Sequence, residues 1–133
     1  MHLSSYNSQF VLTFRIPDAN ILDDVELTKD FSQVEIDTIS WKTAVQSSLR
    51  KMYGLLGEAS HFDILRNKNK KAIIRIQYQD TEKFRNSLMS FTFRLNTLMG
   101  SSISSGDINC YIKVNGSGDY LGLLMDDDFD ENE

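Results

Sequence analysis

Cysteine, proline and histidine are nearly absent: the 133 residues hold one cysteine, one proline and two histidines. A lone thiol forms no internal disulfide. Cys110 lies inside an apolar run, so it reads as a packed side chain in a protein of a reducing compartment. His2, His61 and Cys110 are far apart and none belongs to a pair at ligand spacing, which argues against a zinc site. Long hydrophobic runs are missing as well. No stretch approaches the roughly 18–20 continuous apolar residues of a membrane span, and the opening MHLSSYNSQF has neither the basic start nor the apolar centre of a secretory signal. These absences predict a soluble intracellular protein with no metal, cofactor, disulfide or membrane partner.

What is present suffices for one core. Hydrophobic residues make up 41% and aromatics 11%, and a chain of this size buries roughly two thirds of its unfolded surface on folding. The formal charge of −5 is unevenly placed. Asp126, Asp127, Asp128, Asp130, Glu131 and Glu133 crowd the C-terminus, and the stretch from Asp18 to Asp37 carries seven carboxylates against Lys29 alone. The remainder is therefore basic, an arrangement that repels nonspecific nucleic acid while leaving cations for a chosen partner. The composition predicts one α+β domain over residues 1–125 with an acidic linker at 18–37, then a disordered acidic tail at 126–133. Within the linker, Ile21, Leu22, Val25, Leu27 and Phe31 are available to dock.

Hydrophobic periodicity places the elements. Phe10, Leu12, Phe14 and Ile16 alternate with Val11, Thr13 and Arg15, which predicts a half-buried strand from Gln9 to Ile16. A helix starts at Thr38 or Ser40, with Trp41, Val45, Leu49, Met52 and Leu56 on one face and Gly57 as its stop. Residues 61–66 and 71–78 read as the strands of a hairpin, since Asn67 and Asn69 tolerate left-handed backbone. Its second strand turns Ala72, Ile74, Ile76 and Tyr78 to one side. Asp80 or Thr81 caps a second helix with a stripe of Phe84, Leu88, Phe91 and Leu95. A last strand from Ile108 to Val114 sends Ile108, Cys110, Ile112 and Val114 inward. The succession βαββαβ is that of ferredoxin-like and RNA-recognition folds, an α+β two-layer sandwich in which an antiparallel sheet carries two helices on one face. The other sheet face is expected to be open.

Catalytic chemistry finds little support. His61 has no serine of nucleophile-elbow type near it and reads as a strand-end surface histidine. Gly116, Gly118 and Gly122 match a dinucleotide fingerprint only loosely, with no βαβ unit around them, and read as a turn. Nothing in the spacing brings two of Glu58, Asp63 and Asp80 together as acid and base. The open face would present Val11, Thr13, Ile73, Gln77 and Tyr111, a mixed apolar and polar surface suited to a protein partner. Around it, Arg66, Lys68, Lys70 and Lys71 of the hairpin, with Arg75 and Lys113, are candidate contacts to RNA phosphates. Tyr111 is the one clear outward aromatic, too few for a stacking platform of the RNA-recognition kind.

Trp41, the run SLRKMYGLLGE ending at Glu58, Phe62 to Leu65, the strand AIIRI from Ala72 to Ile76 and the helix from Asp80 to Phe91 together resemble the small protein subunits of nuclear ribonuclease P and ribonuclease MRP. The likeness spans about residues 9–115. The chain resembles the smaller, less basic, yeast-type member of two related subunits that pair with each other, since Trp41 opens the first helix, the overall charge is negative and the C-terminus is acidic, without a basic terminal extension. The resemblance implies a noncatalytic subunit in particles whose RNA does the chemistry, acting in 5′ leader removal from precursor tRNA and in precursor rRNA cleavage. It further implies a nuclear and nucleolar location, a heterodimer with the basic sibling, a large scaffold subunit as neighbour, and RNA contact made directly or through the sibling. Two other readings remain beside it. One is a free-standing single-stranded RNA-binding module using Arg15, Arg75, Tyr111 and Lys113; the other is a regulatory domain with a metabolite edge near Gly57 or Gly106.

Overall fold

The computed structural model describes residues 7–16, 29, 31–99 and 109–118, with the backbone alone at 117 and 118. Its antiparallel sheet has five strands: β1 (Asn7–Arg15), β2 (Phe62–Lys68), β3 (Lys71–Gln77), β4 (Thr92–Arg94) and β5 (Asn109–Gly118), in the order β2-β3-β1-β5-β4. The described helices are α1 (Thr38–Glu58), α2 (Thr81–Leu88) and the short α3 (Leu95–Met99). Apart from β4, this is the ferredoxin-like order that the element succession predicts. Residues 17–28, 101–108 and 119–133 lie outside the described set, and with them the first part of the acidic linker, Ile108 and the acidic tail.

Alternation sets the core face. Phe10, Leu12 and Phe14 of β1, Ala72, Ile74 and Ile76 of β3, and Cys110 and Ile112 of β5 join Trp41, Ala44, Val45 and Leu49 of α1 and Phe84 and Leu88 of α2 in one cluster. The Trp41 ring lies 4.6 Å from Phe14, which meets Phe93 edge-on at 5.8 Å. Ser48 is buried in α1 and donates to the Ala44 carbonyl at 2.9 Å, so its hydroxyl is satisfied inside the apolar layer. The Cys110 thiol is buried and donates to the Phe93 carbonyl.

α1 begins at Thr38 because Asp37 caps it, its carboxylate accepting from the Ser40 N–H at 2.8 Å. Hydrogen bonds from Ser40, side chain first and then backbone, hold the Asp37 carboxyl below its ordinary pKa. A depressed folded pKa gives stability that is present above about pH 4 and lost as pH falls through the folded value. Asp37→Ala should therefore lower stability by about 1 kcal/mol at neutral pH, and Asp37→Asn should retain the cap while removing its acid sensitivity. Urea midpoints measured at pH 7 and pH 3 check both.

The second part of the linker docks, as Phe31 allows. Phe31 and Ile36 are buried in the core, and the Ile36 N–H donates to the Asn69 carbonyl at 2.8 Å. The hairpin turn rests on Asn69 at φ 56, while Asn67 belongs to β2 and uses its side chain to accept from Thr38 and donate to the Ile36 carbonyl.

Several expectations are corrected. α2 ends at Leu88; Phe91 lies in the loop before β4 and Leu95 opens α3, so the expected stripe is divided between two helices and the loop between them. Tyr78 leaves the β3 face for a 3₁₀ turn and is exposed. β5 runs on through Gly116 and Gly118, which pair with Val11 and Gln9 in place of forming a turn. The register slips at Val11/Leu12, so that Asn115 bulges and accepts from the Thr13 hydroxyl.

The expected open face is covered over Val11, Thr13 and Ile73, while Arg75, Gln77 and Lys113 stay exposed. Val11 and Ile73 are 0% exposed and Thr13 2%, although Val11 and Ile73 stand outside the helix-side core. The physical reason is visible in the runs Phe10-Val11-Leu12 and Ala72-Ile73-Ile74, continuous apolar stretches of the kind that strands buried on both faces carry.

Candidate protein-docking surface

Of the residues assigned to a partner face, most are covered. Val11, Thr13 and Ile73 are buried within the chain, Tyr111 is half-buried, and only Gln77 is fully accessible. The assigned phosphate contacts differ in accessibility, although Lys68 stands opposite Lys71, and Lys71 and Lys113 flank Thr13 across the sheet. Lys68 and Lys113 are exposed and Arg66 half-buried, but Lys71 is 8% exposed and Arg75 binds Asp63 at 3.0 Å. Lys70 donates to the Ser32 and Val34 carbonyls, both at 3.3 Å, with its ammonium 5.3 Å from the Phe31 ring centre. It holds the docked linker on the hairpin. Lys70→Met should loosen that segment and cost about 1–2 kcal/mol, read from the denaturation midpoint and from faster hydrogen exchange at Ile36.

A different surface is built at the C-terminal end of α1. Trp41, Val45 and Leu49 follow the buried stripe, but its expected continuation does not: Met52 is 38% and Leu56 83% exposed. At Leu56 the cause is Gly54, at φ 70 and ψ −150, a backbone region essentially restricted to glycine, which breaks the helix three residues before the expected stop. Beyond the break the chain packs back tightly. A Cβ on Gly57 would stand 2.4 Å from the Leu49 carbonyl oxygen and 2.6 Å from the Tyr53 Cβ. The Ala59 and Ser60 N–H groups close the end by donating to the Leu55 and Gly57 carbonyls. The result turns Leu55, at 76% exposure, and Leu56 to solvent beside Met52 and Tyr53.

Cations surround this apolar cap. Lys51 sits 5.3 Å from the Phe91 ring centre, and Lys83 lies 5.9 Å from Tyr53 while donating to Ser60 Oγ at 3.1 Å. Arg50 pairs with Glu58 at 3.2 Å. Alongside, an open groove of about 510 Å³ between α1 and the outer strand β2 is lined by Lys42, Gln46, Glu58, His61 and Asp63 among others. Glu58 and Asp63 thus share a groove, a proximity that their spacing does not reveal. Each faces its own arginine, and Asp80 faces Lys83 at 3.8 Å, so the three carboxylates are divided among three ion pairs. His61 is exposed, with Nε2 3.5 Å from Asp63. Among the described residues, no three His, Cys, Asp or Glu side chains gather where they could hold a metal ion. No described helix is long and apolar enough to cross a membrane. The accessible features of this end are an apolar cap, a cationic rim and a groove, an arrangement for binding a surface.

The profile of the family described as "Ribonucleases P/MRP protein subunit Pop8" matches residues 23–91, which include α1, the hairpin and α2. The chain belongs to the Pop8 family of ribonuclease P/MRP protein subunits. A curated Pop8 relative, "Ribonucleases P/MRP protein subunit POP8" of Saccharomyces cerevisiae (strain ATCC 204508 / S288c), is 28% identical over 69 residues, covering 52% of this chain. The chain spans about half the length of that relative, 51%. A chain of a solved structure described as "Cryo-EM structure of yeast Ribonuclease MRP" superposes with a TM-score of 0.65 at 18% identity, covering 88% of this chain and 76% of that one. At that identity the likeness concerns the fold, and it extends past the Pop8-matched window. Every segment on which the family resemblance rests in the sequence lies inside residues 23–91.

Proposed function

We propose that this chain is a noncatalytic subunit of the ribonuclease P and ribonuclease MRP ribonucleoproteins. In that role it supports 5′ leader removal from precursor tRNA and precursor rRNA cleavage by pairing with a related basic subunit. The RNA supplies the catalyst, the large scaffold protein is a further neighbour, and the place of work is the nucleus and nucleolus. The observation that carries this reading is the Pop8-family match over 23–91, the stretch that also builds the exposed apolar end of α1. Lys70 and Arg75 are committed to internal partners and Lys71 is buried, which favours a role in bracing neighbouring proteins over tracking RNA phosphates.

Affinity purification of the tagged chain from its native cells tests the proposal. Sequencing of the recovered RNA should find the ribonuclease P or MRP RNA, and mass spectrometry should find a related basic subunit. Messenger RNA recovered without that protein set overturns it, as would cleavage of precursor tRNA by the purified chain alone.

A further inference from the structure

We infer that the broken end of α1 is a docking site for another protein subunit of the same particle, one that presents apolar side chains ringed by carboxylates. The inference rests on the subunit reading above and adds the surface and the chemistry of its occupant. Helical spacing alone would carry Leu56 onto the buried stripe of Trp41, Val45 and Leu49. It is instead 83% exposed because Gly54 adopts φ 70, ψ −150 and because Gly57 lets the return segment lie against the Leu49 carbonyl. Two features of backbone geometry, open to glycine alone, thus hold leucines in water.

Size and charge define the occupant. Met52, Tyr53, Leu55 and Leu56 expose on the order of 400 Å² of apolar surface, within the range where a monomer's largest patch is often functional. That is about half of one partner's share of a standard interface, the rest being left to a polar rim. The rim holds one cation in excess: Lys83 beside Tyr53 faces Asp80, Arg50 faces Glu58, and Lys51 beside Phe91 adds a third cation to those two carboxylates. This local sign is opposite to the net charge of −5, so the complementary surface carries Asp or Glu around its apolar centre. A related subunit that is basic overall meets this requirement only if its contact face is locally acidic. RNA fits poorly, since Tyr53 is the one aromatic ring among the four side chains of the patch and Lys83 already stands 5.9 Å from its centre.

The test uses the full tagged chain in its native cells. A photo-crosslinking amino acid replaces Leu56, and in parallel a Leu55→Asp/Leu56→Asp variant is purified beside wild type. Both leucines are exposed, so the variant should melt with the wild-type midpoint while recovering the partner protein at least tenfold less well. The crosslink should map to a peptide of another subunit with Asp or Glu flanking apolar residues. A crosslink to RNA or to a second copy of this chain overturns the inference, as does undiminished recovery by the variant while wild type brings down the particle. Failure of wild type itself to recover the particle removes the subunit reading, and this inference with it.

Discussion

Replacing Ile73 with aspartate is expected to unfold the protein. Ile73 is 0% exposed near the middle of β3, opposite Val11 of β1 on one side and Arg66 of β2 on the other. Removing its side chain forfeits burial worth about 2–5 kcal/mol. The carboxylate adds a desolvation cost of several kcal/mol more unless it takes up a proton. Together these approach the roughly 5–15 kcal/mol by which folded domains are stable. Ile73→Val, which keeps the shape, should cost only about 0.5–1.5 kcal/mol. Any folded Ile73→Asp protein should close part of its gap to wild type as pH falls through the raised pKa of the buried carboxyl. Urea unfolding followed by Trp41 fluorescence measures all three. An Ile73→Asp midpoint close to wild type would instead mean that Ile73 faces solvent, as the expectation of an open sheet face requires.

That contrast shows what residue patterns disclose here. Period-two alternation correctly sends Phe10, Leu12, Phe14, Ala72, Ile74 and Ile76 toward the helices, because one helix-bearing face is enough to enforce it. Alternation says nothing about whether the second face is covered. The signal for that is the unbroken apolar triplets around Val11 and Ile73, which a strand with one wet face has no reason to carry. β4 is hidden for another reason. Phe91 and Leu95 fall at helical spacing from Leu88, so a three-residue strand imitates the continuation of α2. The basic hairpin misleads because charge is countable in sequence and partners are not: Lys70 satisfies linker carbonyls and Arg75 an aspartate, both distant in the chain or across a strand pair. The family likeness is legible because its segments lie in the contiguous window that builds α1, the hairpin and α2.

The break in α1 is the least legible feature, and it supports the second large prediction. Gly54 and Gly57 lie three residues apart in YGLLGE, and helical periodicity cannot tell which of them interrupts the helix. The structure gives them different tasks, so alanine should fail at each for a different reason. At Gly57 the new Cβ would meet the Leu49 carbonyl oxygen at 2.4 Å, a backbone atom that no rotamer change can move. Gly57→Ala should therefore displace the return segment and cost about 2–3 kcal/mol, in the upper range of overpacking penalties. At Gly54 an added Cβ meets nothing within 4 Å, but φ 70, ψ −150 is itself unfavourable for alanine by about 1–3 kcal/mol. Relief comes from letting α1 run on as ordinary helix, which alanine favours over glycine by about 1 kcal/mol. Gly54→Ala should then hold or raise helical circular dichroism, draw Leu56 toward the buried stripe and weaken capture of the partner subunit. Gly57→Ala should lower thermal stability and capture together. Unchanged capture by a Gly54→Ala protein whose helix had lengthened would show that Leu55 and Leu56 need not be held outward, and the docking site would have to be sought along the groove beside β2.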